Sequence, residues 1–227
     1  MKTALQRILA LAFVLPLVSG CISPKSYVDP TFGKVKYDDL TRRAEPYKWR
    51  IVVEFQRNGT HLPSADNSVL SHVERVVRAS GMAIPSTEPN VGELKVIINN
   101  VADRAASATK GFGTGLTFGL IGSTVTDFYE MDVVLIENGK TIQKAGYKHA
   151  LHTTIGNADG PEGLEPMTTS AAFGIVIEQL MLNALKDLER EKQSSSNPSS
   201  GGVSLLERLR ATLLLVGELV PDTFSRI

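Results

Sequence analysis

Strict alternation marks the first ordered segment of the chain. Trp49, Ile51, Val53 and Phe55 fall on one side of an extended backbone, with Arg50, Val52 and Glu54 on the other. That period of two is the pattern of a strand with one buried face. Asn58-Gly59 then signals a turn. Val69, Leu70, Val73, Val76 and Val77 recur at three- and four-residue spacing. They predict an amphipathic helix, opened by Ala65-Asp66-Asn67 and stopped by Gly81. Leu94 to Ile98 is short and β-branched and predicts a second strand. Tyr129, Met131, Val133 and Leu135 alternate with Glu130, Asp132, Val134 and Ile136. Asn138-Gly139 is the favoured type I′ turn pair, and a return strand runs from Thr141 to Thr153 through Ile142, Ala145, Tyr147 and His149. Phe173, Ile177, Leu180, Met181, Ala184 and Leu188 form the stripe of a long helix capped by Thr169 or Ser170.

The predicted order is β-α-β-β-β-α. Neither an apolar helix face nor an apolar sheet face is left in water, so the expected fold is α+β: two helices packed on a mixed sheet of about four strands. The helical connection between the first two strands favours a parallel crossover. This domain is placed at residues 49–192. Residues 21–48, with Pro24, Pro30, Gly33 and Pro46, read as a tether, or alternatively as a segment whose Tyr27 and Phe32 pack onto the domain. Residues 193–202 form a flexible Ser/Gly linker. Residues 203–227 carry Leu205, Leu206, Leu209, Leu213, Val216 and Leu219 and predict a separate C-terminal amphipathic helix stopped by Pro221.

The start of the chain changes the picture most. Lys2 and Arg7 precede an apolar run from Ile8 to Val18, followed by Ser19-Gly20-Cys21. This is the layout of a secretory signal over residues 1–20, and the run is shorter than the roughly 20 residues of a membrane span. Val18-Ser19-Gly20-Cys21 resembles the bacterial lipoprotein box. The resemblance implies that Cys21 becomes the mature N-terminus, with diacylglycerol on its sulfur and an acyl chain such as palmitate on its nitrogen. An ordinary secretion signal followed by a chance cysteine is the bland alternative. The chain has a single Cys, and an exported protein with one free thiol carries a reactive liability. Ile22, where an Asp would signal inner-membrane retention, implies an outer-membrane, periplasm-facing protein.

Composition removes several classes. Of 24 basic and 24 acidic residues, cleavage takes Lys2 and Arg7 and leaves 22 basic side chains against 24 acidic. That balance gives no basic footprint for nucleic acid. One Cys makes no disulfide within the chain, and no cofactor is expected beyond the covalent lipid.

Gly111 to Gly122 invites comparison with a phosphate loop, but Lys110 precedes the glycines and Gly122 leads into Ser123-Thr124-Val125. A Walker loop needs its Lys and hydroxyl residue after them. From Gly111 to Thr126 there is no charged residue. The segment reads either as a buried crossover whose glycines allow close passage or as an exposed apolar loop that meets a partner or the bilayer surface. Phe112, Leu116, Phe118, Leu120 and Ile121, with Leu206, Leu209 and Leu213 of the last helix, form the candidate contact surface. That helix docks on the domain, lies on the membrane, or binds a partner. No catalytic residue and no metal ligand is assigned. His149 and His152 are three apart on a strand and face opposite ways, His61 and His72 have no acid or nucleophile motif around them, and Asp127, Glu130 and Asp132 border a solvated strand start.

The approach from Phe118-Gly119-Leu120-Ile121-Gly122 to Tyr129, and the helix from Ser170 to Leu188, resemble the small YajG-like proteobacterial outer-membrane lipoproteins. That likeness implies a compact α+β domain and no defined activity. The expected function is a non-catalytic, lipid-anchored envelope protein acting through contacts with an envelope protein partner. The alternative is a periplasmic module that binds a lipid or small apolar ligand.

Overall fold

The computed structural model describes residues 24–32, 34–102 and 123–196. One compact unit extends to Asp187; a second begins at Leu188, and of it the described part is helical through Ser196. In chain order the elements are β1 (Lys25–Val28), a 3-10 turn at Tyr37–Asp39, β2 (Tyr47–Arg57), β3 (Thr60–His61) and α1 (Pro63–Ser80). They continue with β4 (Ala83–Pro85), β5 (Gly92–Ala102), β6 (Ser123–Glu137), β7 (Lys140–Ile155) and α2 (Thr169–Ser196).

These strands make one seven-stranded sheet in the order β1-β7-β6-β5-β2-β3, with β4 also paired to β2. The fold is α+β, with two α-helices among the described residues, but the sheet overturns the expected strand count and the order β-α-β-β-β-α. Strands β1, β3 and β4 have only four, two and three residues. Segments that short carry no measurable alternation; pairing with the long strands β7 and β2 creates them. Asn58 and Asn138 have φ of 51° and 52°, and Gly59 and Gly139 follow at 77° and 72°. Both Asn-Gly pairs are therefore two-residue turns with the positive φ values of type I′, one joining β2 to β3 and the other β6 to β7. β2 and β5 run parallel; β5, β6 and β7 are successively antiparallel.

Helix α1 begins at Pro63, with proline in the first turn where its missing N–H costs nothing. The start lies ahead of the expected cap because Asp66 is used elsewhere: its carboxylate accepts the Phe55 N–H at 2.8 Å and meets His61 Nε2 at 2.8 Å. Gly81 closes the helix at φ 68°, the left-handed cap that glycine adopts without strain. Val69, Val73, Val76 and Val77 are its buried stripe. Ala172, Val176, Ile177, Leu180, Met181 and Leu185 play the same part in α2. Phe173 of α2 meets both Phe55 and Tyr129 edge-on or tilted, at 6.1 and 5.5 Å between ring centroids, and His72 of α1 packs against its ring. Both helices therefore lie on the sheet face that carries Trp49, Phe55, Leu94, Val96, Ile98, Tyr129, Met131, Val133 and Leu135.

Trp49 is wholly buried; it donates Nε1–H to Glu137 Oε1 at 3.0 Å and stacks on Tyr47. Gly92 lies beside it, and a Cβ built there would sit 2.8 Å from Trp49 Cδ1. Gly92→Ala therefore overpacks a site that cannot relax, and should cost about 1–3 kcal/mol in urea unfolding. Unchanged stability would contradict this packing.

Candidate functional site

The opposite face of the sheet is where sequence and structure leave something to explain. Strand register aligns Arg50, Glu93 and Ile136 in one row and Val52, Lys95 and Val134 in the next. Further rows hold Glu54, Ile97 and Asp132, then Gln56, Asn99, Glu130 and Lys148. Among the described residues, α1 and the first-unit part of α2 lie on the other face. Val52 and Ile136 remain 36% and 46% exposed. Between the apolar side chains run ion pairs: Arg50–Glu93 at 3.8 Å, Lys95–Glu54 at 3.0 Å and Lys148–Glu130 at 3.1 Å. Such exposed pairs add little stability. Hydrogen bonds from Gln56 and then Lys95 hold the Glu54 carboxyl below its usual range. The face thus alternates apolar positions with charges of both signs.

The chain between β1 and the 3-10 turn grips β7 on both sides. On one side Asp29 Oδ2 lies 3.3 Å from His152 Nε2, and Thr126 Oγ1 lies 3.0 Å from His152 Nδ1. Thr31 donates its N–H and hydroxyl to Asp29 Oδ1 at 2.8 and 2.7 Å. Burial alone would raise the Asp29 carboxyl; the Thr31 donors and the His152 charge more than offset it and bring it below its usual value. On the other side Phe32 stacks on His149 at 5.1 Å. Asp29, His152 and Thr126 form the carboxylate–imidazole–hydroxyl chain of an acid–base relay, but both imidazole nitrogens are engaged in fastening β1 to the β6–β7 hairpin. His149 and His152 pair with Tyr129 and Thr126, an odd and an even position of one strand, so their rings lie on opposite faces. Among the described residues no group of three or more His, Cys, Asp or Glu is placed to hold a metal.

His149 gives this grip a pH dependence. Burial holds its imidazole below the ordinary 6.5, against the opposing effects of its Ala150 hydrogen bond and the Asp29 charge. Burial, with Arg75 nearby, does the same to His72. As pH falls through 6.5 the unfolded chain binds protons that the folded imidazoles refuse, so unfolding free energy drops until pH passes their folded values. The lowered Asp29 carboxyl extends the loss into the acid range, because its contribution is present above its unfolded value and disappears as pH falls through its folded one. Urea titrations between about pH 7.5 and about pH 5.5 should show this slope, and His149→Phe should flatten it. Equal slopes for the two proteins would contradict the assignment to His149.

Cys21, Phe112, Leu116, Phe118, Leu120, Ile121, Leu206, Leu209 and Leu213, the residues singled out from sequence, lie outside the described residues. The open face was not singled out. Its signal was there: Val52, Val134 and Ile136 occupy the polar phase of their strands. Asp29, Thr126 and His152 left no signal, since Asp29 stands about a hundred residues before the other two and the three share no common spacing.

No family model matches the chain, and no curated protein matches it. Among solved structures it is similar to a PelC dodecamer variant from Paraburkholderia phytofirmans, at 17% identity and a TM-score of 0.29, covering 72% of this chain and 97% of that one. A putative neuraminyllactose-binding hemagglutinin homolog from Helicobacter pylori is similar at 11% identity and a TM-score of 0.33, covering 76% and 95%. A DUF4136 family protein from Bacteroides thetaiotaomicron is similar at 10% identity and a TM-score of 0.30, covering 74% and 98%. Likenesses this weak carry no argument about role.

Proposed function

We propose that this protein is an outer-membrane lipoprotein, held through lipid on Cys21 and facing the periplasm, that acts without catalysis by binding an envelope protein. The anchor is supported by the signal pattern ending in Val18-Ser19-Gly20-Cys21, with the chain's single thiol at the lipid position. Among the described residues no helix is long and apolar enough to cross a membrane. The observation that carries the contact role is the sheet face turned away from α1 and the first-unit part of α2, where exposed Val52 and Ile136, with half-buried Ile97 and Val134, lie among paired charges. Exposed apolar side chains grouped in this way mark interaction sites.

The test is photo-crosslinking in cells. A crosslinking amino acid is placed at Ile136 in the full-length protein and, as control, at Arg78 on the exposed side of α1. One discrete envelope adduct from position 136, absent from 78 and lost on Val134→Lys, is the expected result. Adducts equal at both positions, or none from a folded and acylated protein, would refute the contact role. A lipid adduct at 136 would favour the ligand-binding alternative.

A further inference from the structure

Strand directions place several chain positions at one end of the sheet. β1 begins there at Lys25, opposite Thr154; β6 begins there at Ser123, opposite Ile155; β5 ends there at Ala102, opposite Asp127. Among the described residues, two large apolar side chains are exposed at this end. Val125 is 41% exposed and Phe128 is 40% exposed. They have opposite parity on β6, so they lie on opposite faces of the sheet and make no flat patch for a globular partner. They share instead a position along the strand axis, within about 10 Å of each other by the rise of a strand. Val101, partly exposed, is aligned with Phe128.

Cys21 precedes Lys25 by four residues. A fully extended chain of that length reaches no more than about 14 Å. If the acyl chains of Cys21 lie in the leaflet, the start of β1 lies within that distance of the headgroups, and Val125, aligned through Thr153 with Ser26, lies at a level one residue further, within about 18 Å. The connection leaving this end at Ala102 and returning at Ser123 has no charged residue from Gly111 onward.

We propose, resting on the lipoprotein reading above, that the end of the sheet carrying Val125 and Phe128 lies against the phospholipid surface, so that the domain stands on the membrane by its strand ends. The partner of this end is the bilayer, and the open face around Ile136 then stands away from it. Strand backbone cannot enter hydrocarbon with open hydrogen-bonding groups, so contact is made at headgroup depth by side chains. Val125, nearer the start of β6, sits deeper than Phe128. Ile136 lies eleven residues from Val125, about 35 Å along the strand.

Acylation uses the Cys21 thiol, so an engineered cysteine is the only free thiol of the mature protein. Val125→Cys, Phe128→Cys and Ile136→Cys are each spin-labelled in the full-length, acylated protein, in vesicles of phosphatidylethanolamine and phosphatidylglycerol. Collision with oxygen, which concentrates in the bilayer, is compared with collision with a nickel chelate, which stays in water. The oxygen-to-nickel ratio should be several-fold higher at 125 than at 136, with 128 between them. Ratios equal at all three positions, with acylation confirmed by mass, would overturn the proposal and leave the anchor intact. Shielding of 125 from both reagents would overturn it in favour of a protein contact there. An unacylated Cys21 would remove the lipoprotein reading and this orientation together.

Discussion

Trp49→Ala should lower the unfolding free energy by about 3–5 kcal/mol, the usual cost of truncating a buried large aromatic side chain. The indole is completely excluded from water where β2 meets β5. Its loss removes packing against Tyr47 and Gly92, and takes from the Glu137 carboxylate a donor at 3.0 Å. Gly92 offers no side chain to fill the space. Domains of this kind have a total stability of about 5–15 kcal/mol, so the variant should be close to its unfolding threshold at moderate temperature. Trp49→Phe keeps most of the apolar volume but not the N–H, and should lose clearly less. Since Trp49 is the single tryptophan, unfolding is followed by circular dichroism. A loss below about 1 kcal/mol for the alanine variant would place Trp49 outside the core.

Cys21→Ala should abolish acylation. Each buried methylene contributes about 0.8 kcal/mol to membrane partition, and one chain alone holds a protein only weakly, so loss of several chains is decisive for the anchor. Sedimentation with membranes is a poor reading of this variant, because a precursor that keeps Ile8 to Val18 retains an apolar run of its own. Incorporation of labelled palmitate is the direct measure. It should fall to background in Cys21→Ala and stay at the native level in Ser23→Ala. Undiminished incorporation in Cys21→Ala would refute lipid attachment at this residue.

The sequence made the long elements legible where one face is buried and the other wet. Alternation through Trp49–Phe55 and Tyr129–Leu135, and the valine stripe of α1, follow from burial on the helix-covered side. The edges of the sheet were not legible. Lys25–Val28 becomes a strand because β7 offers it hydrogen bonds and Ser26 reaches Thr153 and Thr169 at 3.0 and 2.9 Å. Nothing in Lys-Ser-Tyr-Val alone requires that. The phase of β7 also shifts midway: Met131 pairs with Tyr147 but Val133 with Lys144. Gly146 at φ 82° absorbs the extra residue and donates its N–H to Asp132 at 2.8 Å. A bulge of this sort is fixed by its partner strand.

The open face was half legible. Val52, Val134 and Ile136 broke the polar phase of their strands, but only register shows that Val52 and Val134 flank Lys95 and that Ile136 adjoins Glu93. The grip on β7 was legible only as the alternative in which Tyr27 and Phe32 pack onto the domain; Asp29 and His152 meet only through the pairing of β1 with β7.

The proposed lipid on Cys21 would set the anchor, the orientation of the sheet and the face left for a partner. Its most direct test is intact-mass measurement of the full-length protein extracted from bacterial membranes, followed by fragmentation of the N-terminal peptide. A chain that starts at Cys21, with a diacylglyceryl thioether on the sulfur and an amide-linked acyl group, is the predicted result. A chain that starts at another residue, or at Cys21 with a free thiol and free amine, would contradict it.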